Sequence, residues 1–159
     1  MSVGCVDCSE DVAFLYTSAA SLAAAIGSAK QEAAMLARIP EVDALLERAL
    51  ALDESWNEGA LHEFAVTWYA SRPGSRDRAR IERHYARALE LSAGKRAGPY
   101  VAYAEGVAVP EQDRGKFKAN LERALAVDPD ADPGSRLLNA LAQRRAKWLL
   151  GRTRELFLE

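Results

Sequence analysis

The sequence predicts an all-α fold, an α-α superhelix of stacked helix pairs closed by a long C-terminal capping helix. Three observations carry that expectation. The 159 residues are rich in Ala, Leu, Arg and Glu, side chains that lose little rotamer freedom in a helix, and they contain few β-branched runs. A hexapeptide phrase is written three times, as Arg48-Ala49-Leu50-Ala51-Leu52-Asp53, Arg87-Ala88-Leu89-Glu90-Leu91-Ser92 and Arg123-Ala124-Leu125-Ala126-Val127-Asp128, at spacings of 39 and 36 residues. Each phrase ends an amphipathic stretch and runs into a turn: Asp53-Glu54-Ser55, Ser92-Ala93-Gly94 or Asp128-Pro129-Asp130.

Those spacings slightly exceed the ~34-residue period of tetratricopeptide helix pairs, and the phrase stands where the second helix of such a pair would end. The first helices fit the same register. Leu61, Phe64, Ala65 and Trp68, then Tyr100, Tyr103, Ala104 and Val107, place a small residue among bulky ones at the spacing that lets two helices approach closely. Tyr85 precedes Ala88 by three residues and Pro129 follows Ala124 by five, as the pattern asks. The first two phrases lack the closing proline, having Glu54 and Ala93 there, and the turn Ser71-Arg72-Pro73-Gly74-Ser75 is long.

Upstream, Leu15, Ser18, Ala19 and Leu22 suit the first helix of a degenerate pair. Its second helix starts near Pro40, a favoured first helical position, and runs to Leu52, with a short helix around Glu32 to Ala37 in between. The apolar face around Leu15, Ala19 and Leu22 is expected to be open and to seek cover in a homo-oligomer. Downstream, Asp132-Pro133 marks a helix start, with one helix from Gly134 to about Phe157 whose stripe of Leu137, Leu141, Trp148, Leu149 and Phe157 covers the last pair. The predicted organisation is a flexible tail over residues 1–8 and a helical stack over 9–159.

Composition narrows the function. The 21 Lys and Arg nearly balance 23 Asp and Glu, for a formal charge of -2, so no overall field draws the chain to nucleic acid. The stretch Val12 to Ala29 holds Tyr16, Thr17, Ser18 and Ser21 and reads as too short and mild for a transmembrane segment. No basic and then apolar leader follows Met1. Cys5 and Cys8 form a lone C-x-x-C, and His62 and His84 lie far from it, which argues against a zinc site and leaves the pair as part of the tail.

No residues combine into a catalytic constellation, a metal site or a cofactor-binding loop, and the sequence reads as a non-enzyme. Gly94-Lys95-Arg96-Ala97-Gly98 lacks the spacing and the strand of a phosphate loop and reads as an inter-repeat turn with solvated cations. In stacks of this kind the first helices line the concave face, so His62, Glu63, Tyr69, Tyr100, Tyr103 and Glu105 are the candidate ligand or partner contacts. Among them Tyr69, His62 and Glu105 are expected to be exposed, while Trp68, Tyr100 and Tyr103 favour core positions. Arg144, Arg145 and Lys147 form a basic C-terminal face suited to an acidic partner or to lipid headgroups.

The phrases Leu45-Leu46-Glu47-Arg48-Ala49-Leu50, Gly59-Ala60-Leu61-His62-Glu63-Phe64, Gly98-Pro99-Tyr100-Val101-Ala102-Tyr103-Ala104-Glu105, Val109-Pro110-Glu111-Gln112-Asp113-Arg114, Asp128-Pro129-Asp130-Ala131-Asp132-Pro133 and Gln143-Arg144-Arg145-Ala146-Lys147-Trp148-Leu149-Leu150 resemble, in this order, the T-component family of TRAP transporter-associated proteins. The resemblance runs from about Asp11 to Glu159. It implies a periplasmic, often lipid-anchored protein of cryptic tetratricopeptide repeats that associates with the extracytoplasmic substrate-binding component of a TRAP transporter and helps deliver a small hydrophobic ligand. Members carry further helices and an export signal upstream, which implies a truncated or shortened form here. The alternative is a cytosolic tetratricopeptide scaffold that grips a partner peptide.

Overall fold

A computed structural model describes residues 8–72 and 76–158. Its elements are α1 (Cys8–Ser28), α2 (Ala33–Leu36), α3 (Ile39–Asp53), α4 (Trp56–Ser71), α5 (Arg78–Leu91), α6 (Gly98–Tyr103) continuing into a π-helical turn (Ala104–Ala108), α7 (Arg114–Ala126), α8 (Arg136–Gly151) and α9 (Thr153–Leu156), with no strand among the described residues. The fold is all-α, as the sequence predicts. Cys5 and most of the proposed tail lie outside the described residues, as do Pro73, Gly74 and Ser75 of the long middle turn. Cys8 already belongs to α1.

The helices begin where side chains satisfy their free N–H groups. Asp77 accepts from the Arg80 N–H at the start of α5, and Asp113 accepts from the Lys116 N–H at the start of α7. Proline occupies the first turn of α3 and of α6. Burial follows the helical period: Val12, Ala19 and Ile26 on α1, and Val42, Leu46 and Ala49 on α3, turn inward at spacings of three, four or seven residues. The alanine second in each repeated phrase is fully packed, with Ala49, Ala88 and Ala124 at most 1 % exposed.

Paired contacts give the directions of the helices. His62 meets His84 and Tyr69 meets Arg80, so α4 and α5 run antiparallel. Arg80 bonds Glu47 and Arg87 bonds Glu54, both 33 residues apart, so α3 and α5 run parallel. Glu63 meets Gly98 and Ala70 meets Gly106, which sets α4 parallel to the α6 segment. Helices of the same class thus lie side by side one repeat apart, and the periodicity of the sequence reappears as spatial register. A larger cluster built on α1, α3, α4 and α5 and a smaller one on α6, α7, α8 and Phe157 form the core.

Several expectations need correction. Leu15 and Leu22 pack against the larger cluster and Ala19 is fully buried, so α3 and α4 cover the face that was expected to be open, and Phe14, 72 % exposed, is the large apolar residue left outside on α1. By length and composition alone Glu10–Ser28 is long and apolar enough to cross a membrane, since its alanines outweigh its hydroxyls; in the fold its inner face is core and Tyr16 packs on Trp56 and Phe64. The closing helix starts at Arg136, because Asp132 spends its carboxylate on the N–H groups of Gly134 and Ser135. It breaks after Gly151, where glycine weakens helix continuity, and the chain turns so that Phe157 packs 5.0 Å from Phe117. The buried face of α8 carries the polar Asn139 and the small Ala146 together with Leu149 of the predicted stripe, while Leu137, Leu141 and Trp148 point outward.

The π-helical turn holds the tightest crossing. A Cβ on Gly106 would stand 2.6 Å from the Ala70 Cβ, which cannot swing away. Gly106→Ala is therefore expected to lower unfolding free energy by about 1–3 kcal/mol through overpacking. Urea denaturation followed by circular dichroism checks this, and an unchanged midpoint would show that α4 and the π turn are not in contact there.

Candidate ligand-binding groove

Three helices of the first class, α4, α6 and α8, border a groove of about 330 Å³. Its floor begins with Arg96, which is buried although it precedes a helix in a basic turn. The Arg96 guanidinium donates to the Asn57 carbonyl at 3.0 Å and to Glu63 Oε2 at 3.2 Å. Asn57, Glu58 and Gly59 all take left-handed backbone angles, and this local turn aims the Asn57 carbonyl at Arg96. Gly98 leaves its Cβ position to the Glu63 carboxylate. Across the groove, Asn139 accepts from the Ala97 N–H at 2.9 Å and donates to the Lys95 carbonyl at 2.8 Å, tying α8 to the same turn.

The walls are apolar, from Val101 and Ala102 on α6 and Leu138, Leu141 and Ala142 on α8, with Thr67 of α4 opposite. Arg145 closes one lip by gripping both carboxylate oxygens of Glu105, at 2.5 to 3.2 Å. Burial pushes the Glu63 carboxyl above its ordinary value, and the adjacent Arg96 charge opposes that rise. The arrangement suits a small molecule with an apolar body and one polar end. No nucleophile paired with a base faces the groove, and no cluster of three or more metal-ligating side chains occurs among the described residues.

The structure brings Glu63, Glu105 and Arg145 of the predicted contacts to this groove. It takes the others elsewhere. His62 is 6 % and Tyr69 1 % exposed, both in the α4–α5 interface, which corrects the expectation that they face solvent. The cause is helical phase: α4 turns Leu61, His62, Ala65 and Tyr69 inward, and its groove-facing residues are Glu63 and Thr67. Tyr103 is buried, donating its hydroxyl proton to Glu82 and accepting from Arg78. Tyr100 is half-buried, edge-on to Tyr85. Arg144 and Lys147 are exposed. Arg96 and Asn139 are the residues that sequence reasoning missed; the turn before Gly98-Pro99 reads as solvated unless a carboxylate one repeat earlier, Glu63, is taken as its partner.

The sequence matches the model of the TRAP transporter T-component family over residues 7–157. The chain belongs to the TRAP transporter T-component family. The family's description ties its members to TRAP transporters. An uncharacterized protein of Treponema pallidum (strain Nichols) is 30% identical over 151 residues, which cover 94% of this chain and 47% of that protein, so the chain spans about half the length of its relative.

Two features of this T-component yield measurable consequences. The first is the floor of the groove. Removing the guanidinium in Arg96→Ala strands the mostly buried Glu63 carboxylate and is expected to destabilise the fold by about 3 kcal/mol. Adding Glu63→Gln should restore part of the loss. Urea titration of the two single variants and the double closes this cycle, and strict additivity would mean that the two side chains do not interact.

The second feature is the buried histidine pair. His62 Nδ1 and His84 Nδ1 lie 2.9 Å apart, so one ring donates and the other accepts, which requires an unprotonated nitrogen. Tyr69 stacks on His84, and His62 Nε2 stands 3.4 Å from the Glu54 carboxylate. Burial depresses the His62 value, partly offset by Glu54. Burial, then the nearby charges of His62, Arg80 and Arg83, lowers His84 to about 4. Between that value and the ordinary value of about 6.5 the unfolded chain binds more protons than the folded one, so this contribution is present above pH ~6.5 and fades as pH falls toward 4. Relative to His84→Gln, the wild type should lose about 2 kcal/mol more across that window, allowing for partial solvent screening. Parallel pH profiles of stability would contradict the buried neutral pair.

Proposed function

We propose that this T-component is a non-enzymatic binding subunit of a TRAP-type system: a tetratricopeptide-like stack that docks on the extracytoplasmic substrate-binding component and holds a small hydrophobic ligand with one polar end in the α4–α6–α8 groove. The observation that carries the proposal is the groove itself, apolar on its walls and anchored by a buried Glu63–Arg96 pair on its floor. Family membership supplies the transport context. Apolar walls favour a greasy body through water release, and the ion pair offers one donor and one acceptor set for a polar terminus. The Glu105–Arg145 bridge, nearly half-exposed on the arginine side, can open without disturbing the core. A periplasmic location follows from the same proposal, since the docking partner operates there.

Two measurements test it. Co-purification with the substrate-binding component should give a defined complex, and its absence with a folded T-component would refute the docking part. Ala102→Trp fills the groove and Leu138→Asp charges its exposed wall; each should weaken uptake of the neutral probe N-phenyl-1-naphthylamine at least about tenfold, the loss of roughly 1.4 kcal/mol of apolar contact. Unchanged probe fluorescence with both variants would place apolar binding outside this groove.

A further inference from the structure

Opposite the groove, α7 and the α8–α9 corner enclose a second cleft, of about 490 Å³, lined by Arg114, Lys118, Leu150, Gly151, Thr153 and Arg154. Among the described residues its three charged groups are all cations. Their sequence neighbours do not neutralise them: Asp113, beside Arg114, caps α7 and pairs with Lys116, while Glu155, beside Arg154, pairs with Arg152 at 2.5 Å. Elsewhere the fold matches its arginines with care, as at Glu41–Arg38, Glu47–Arg80, Glu54–Arg87, Glu63–Arg96 and Glu105–Arg145. Three like charges gathered at one cleft repel one another, and Arg114 is held in place over the Phe157 ring rather than left free to swing apart. Pro133 to Arg154 holds six Lys and Arg and no Asp or Glu; Arg136, Arg145 and Arg152 pair with Asp130, Glu105 and Glu155. Lys147 lies one turn before Gly151 on α8.

We propose that this cleft is a headgroup site for anionic phospholipid, through which the α7–α8–α9 end of the molecule rests on a membrane. The three cations suit a phosphodiester. The apolar groups around them decide between a lipid and a free ion. Leu150 lines the cleft, and Leu158, 86 % exposed and bonded through its N–H to Gln112, follows Phe157, the ring on which Arg114 of the cleft rests. Soluble phosphate has no use for apolar Leu side chains. A bilayer surface takes cations at the headgroups and these side chains just below. The site is independent of the groove and of any partner protein.

The test is sedimentation of the full chain with vesicles of phosphatidylglycerol mixed equally with phosphatidylcholine, against vesicles of phosphatidylcholine alone. Wild type should bind the anionic vesicles and not the neutral ones. Each cation removed should weaken binding roughly fivefold, on the order of a hundredfold for Arg114→Gln, Lys118→Gln and Arg154→Gln together. The variant Lys30→Gln, Arg48→Gln, Arg83→Gln removes the same charge at exposed positions outside the cleft and should lose less than about threefold. Circular dichroism confirms that both triple variants are folded. Equal losses in the two variants would overturn the site in favour of diffuse charge. Absence of vesicle binding would overturn the lipid, even if inorganic phosphate or polyglutamate bound the wild type and not the site variant.

Discussion

Close approach of helices at alanine is the constraint on which this structure depends. Ala49, Ala88 and Ala124 occupy one position of the repeated phrase, and Ala65 and Ala104 the matching position of the first helices; all are essentially without solvent contact. An alanine buries little apolar area of its own. Its effect is geometric, because a helix that can come near its neighbour brings larger side chains into interlocking contact, among them Leu46, Leu61, Ile81, Phe117 and Leu121. Gly106 against Ala70 takes the same device one step further.

The groove follows from that stacking. Helices of one class lie parallel and one repeat apart, so α4, α6 and α8 face a common side and leave a channel between their exposed edges. What is particular to this chain is how the channel floor is made. A left-handed turn at Asn57 to Gly59, a glycine at position 98 and the amide of Asn139 together hold Arg96 inside the fold against Glu63. A buried ion pair of this kind adds little net stability, since desolvation offsets attraction, but it fixes a polar point in an otherwise apolar wall.

The repeat was legible because it is local: phrase, turn residues and small-residue spacing appear within each unit, and they give the helix pairs, the entry of Pro40 and the short helix before it. The capping region was harder. Leu137 and Leu141 lie nearly half a turn around α8 from Asn139 and Ala146 on the inward face, and periodicity favours the greasier stripe when it cannot see that the facing surface needs small residues. His62 and Tyr69 were misplaced for a related reason: adjacent positions on α4 point to opposite sides, and the choice is made by His84 on a helix 22 residues away. Arg96 looked solvated because its partner lies one repeat earlier. The near-zero net charge also concealed the carboxylate-free stretch of α8, which is visible only when charge is read segment by segment.

The close-approach claim is tested most directly within one helix. Ala88 is buried against the neighbouring helices and Ala86 is exposed two residues away, so leucine at either position alters helix propensity equally. The measurement is the difference in unfolding free energy between Ala88→Leu and Ala86→Leu. If the stack depends on small residues at the crossings, Ala88→Leu is less stable by about 1–3 kcal/mol. Equal stability of the two variants would contradict it.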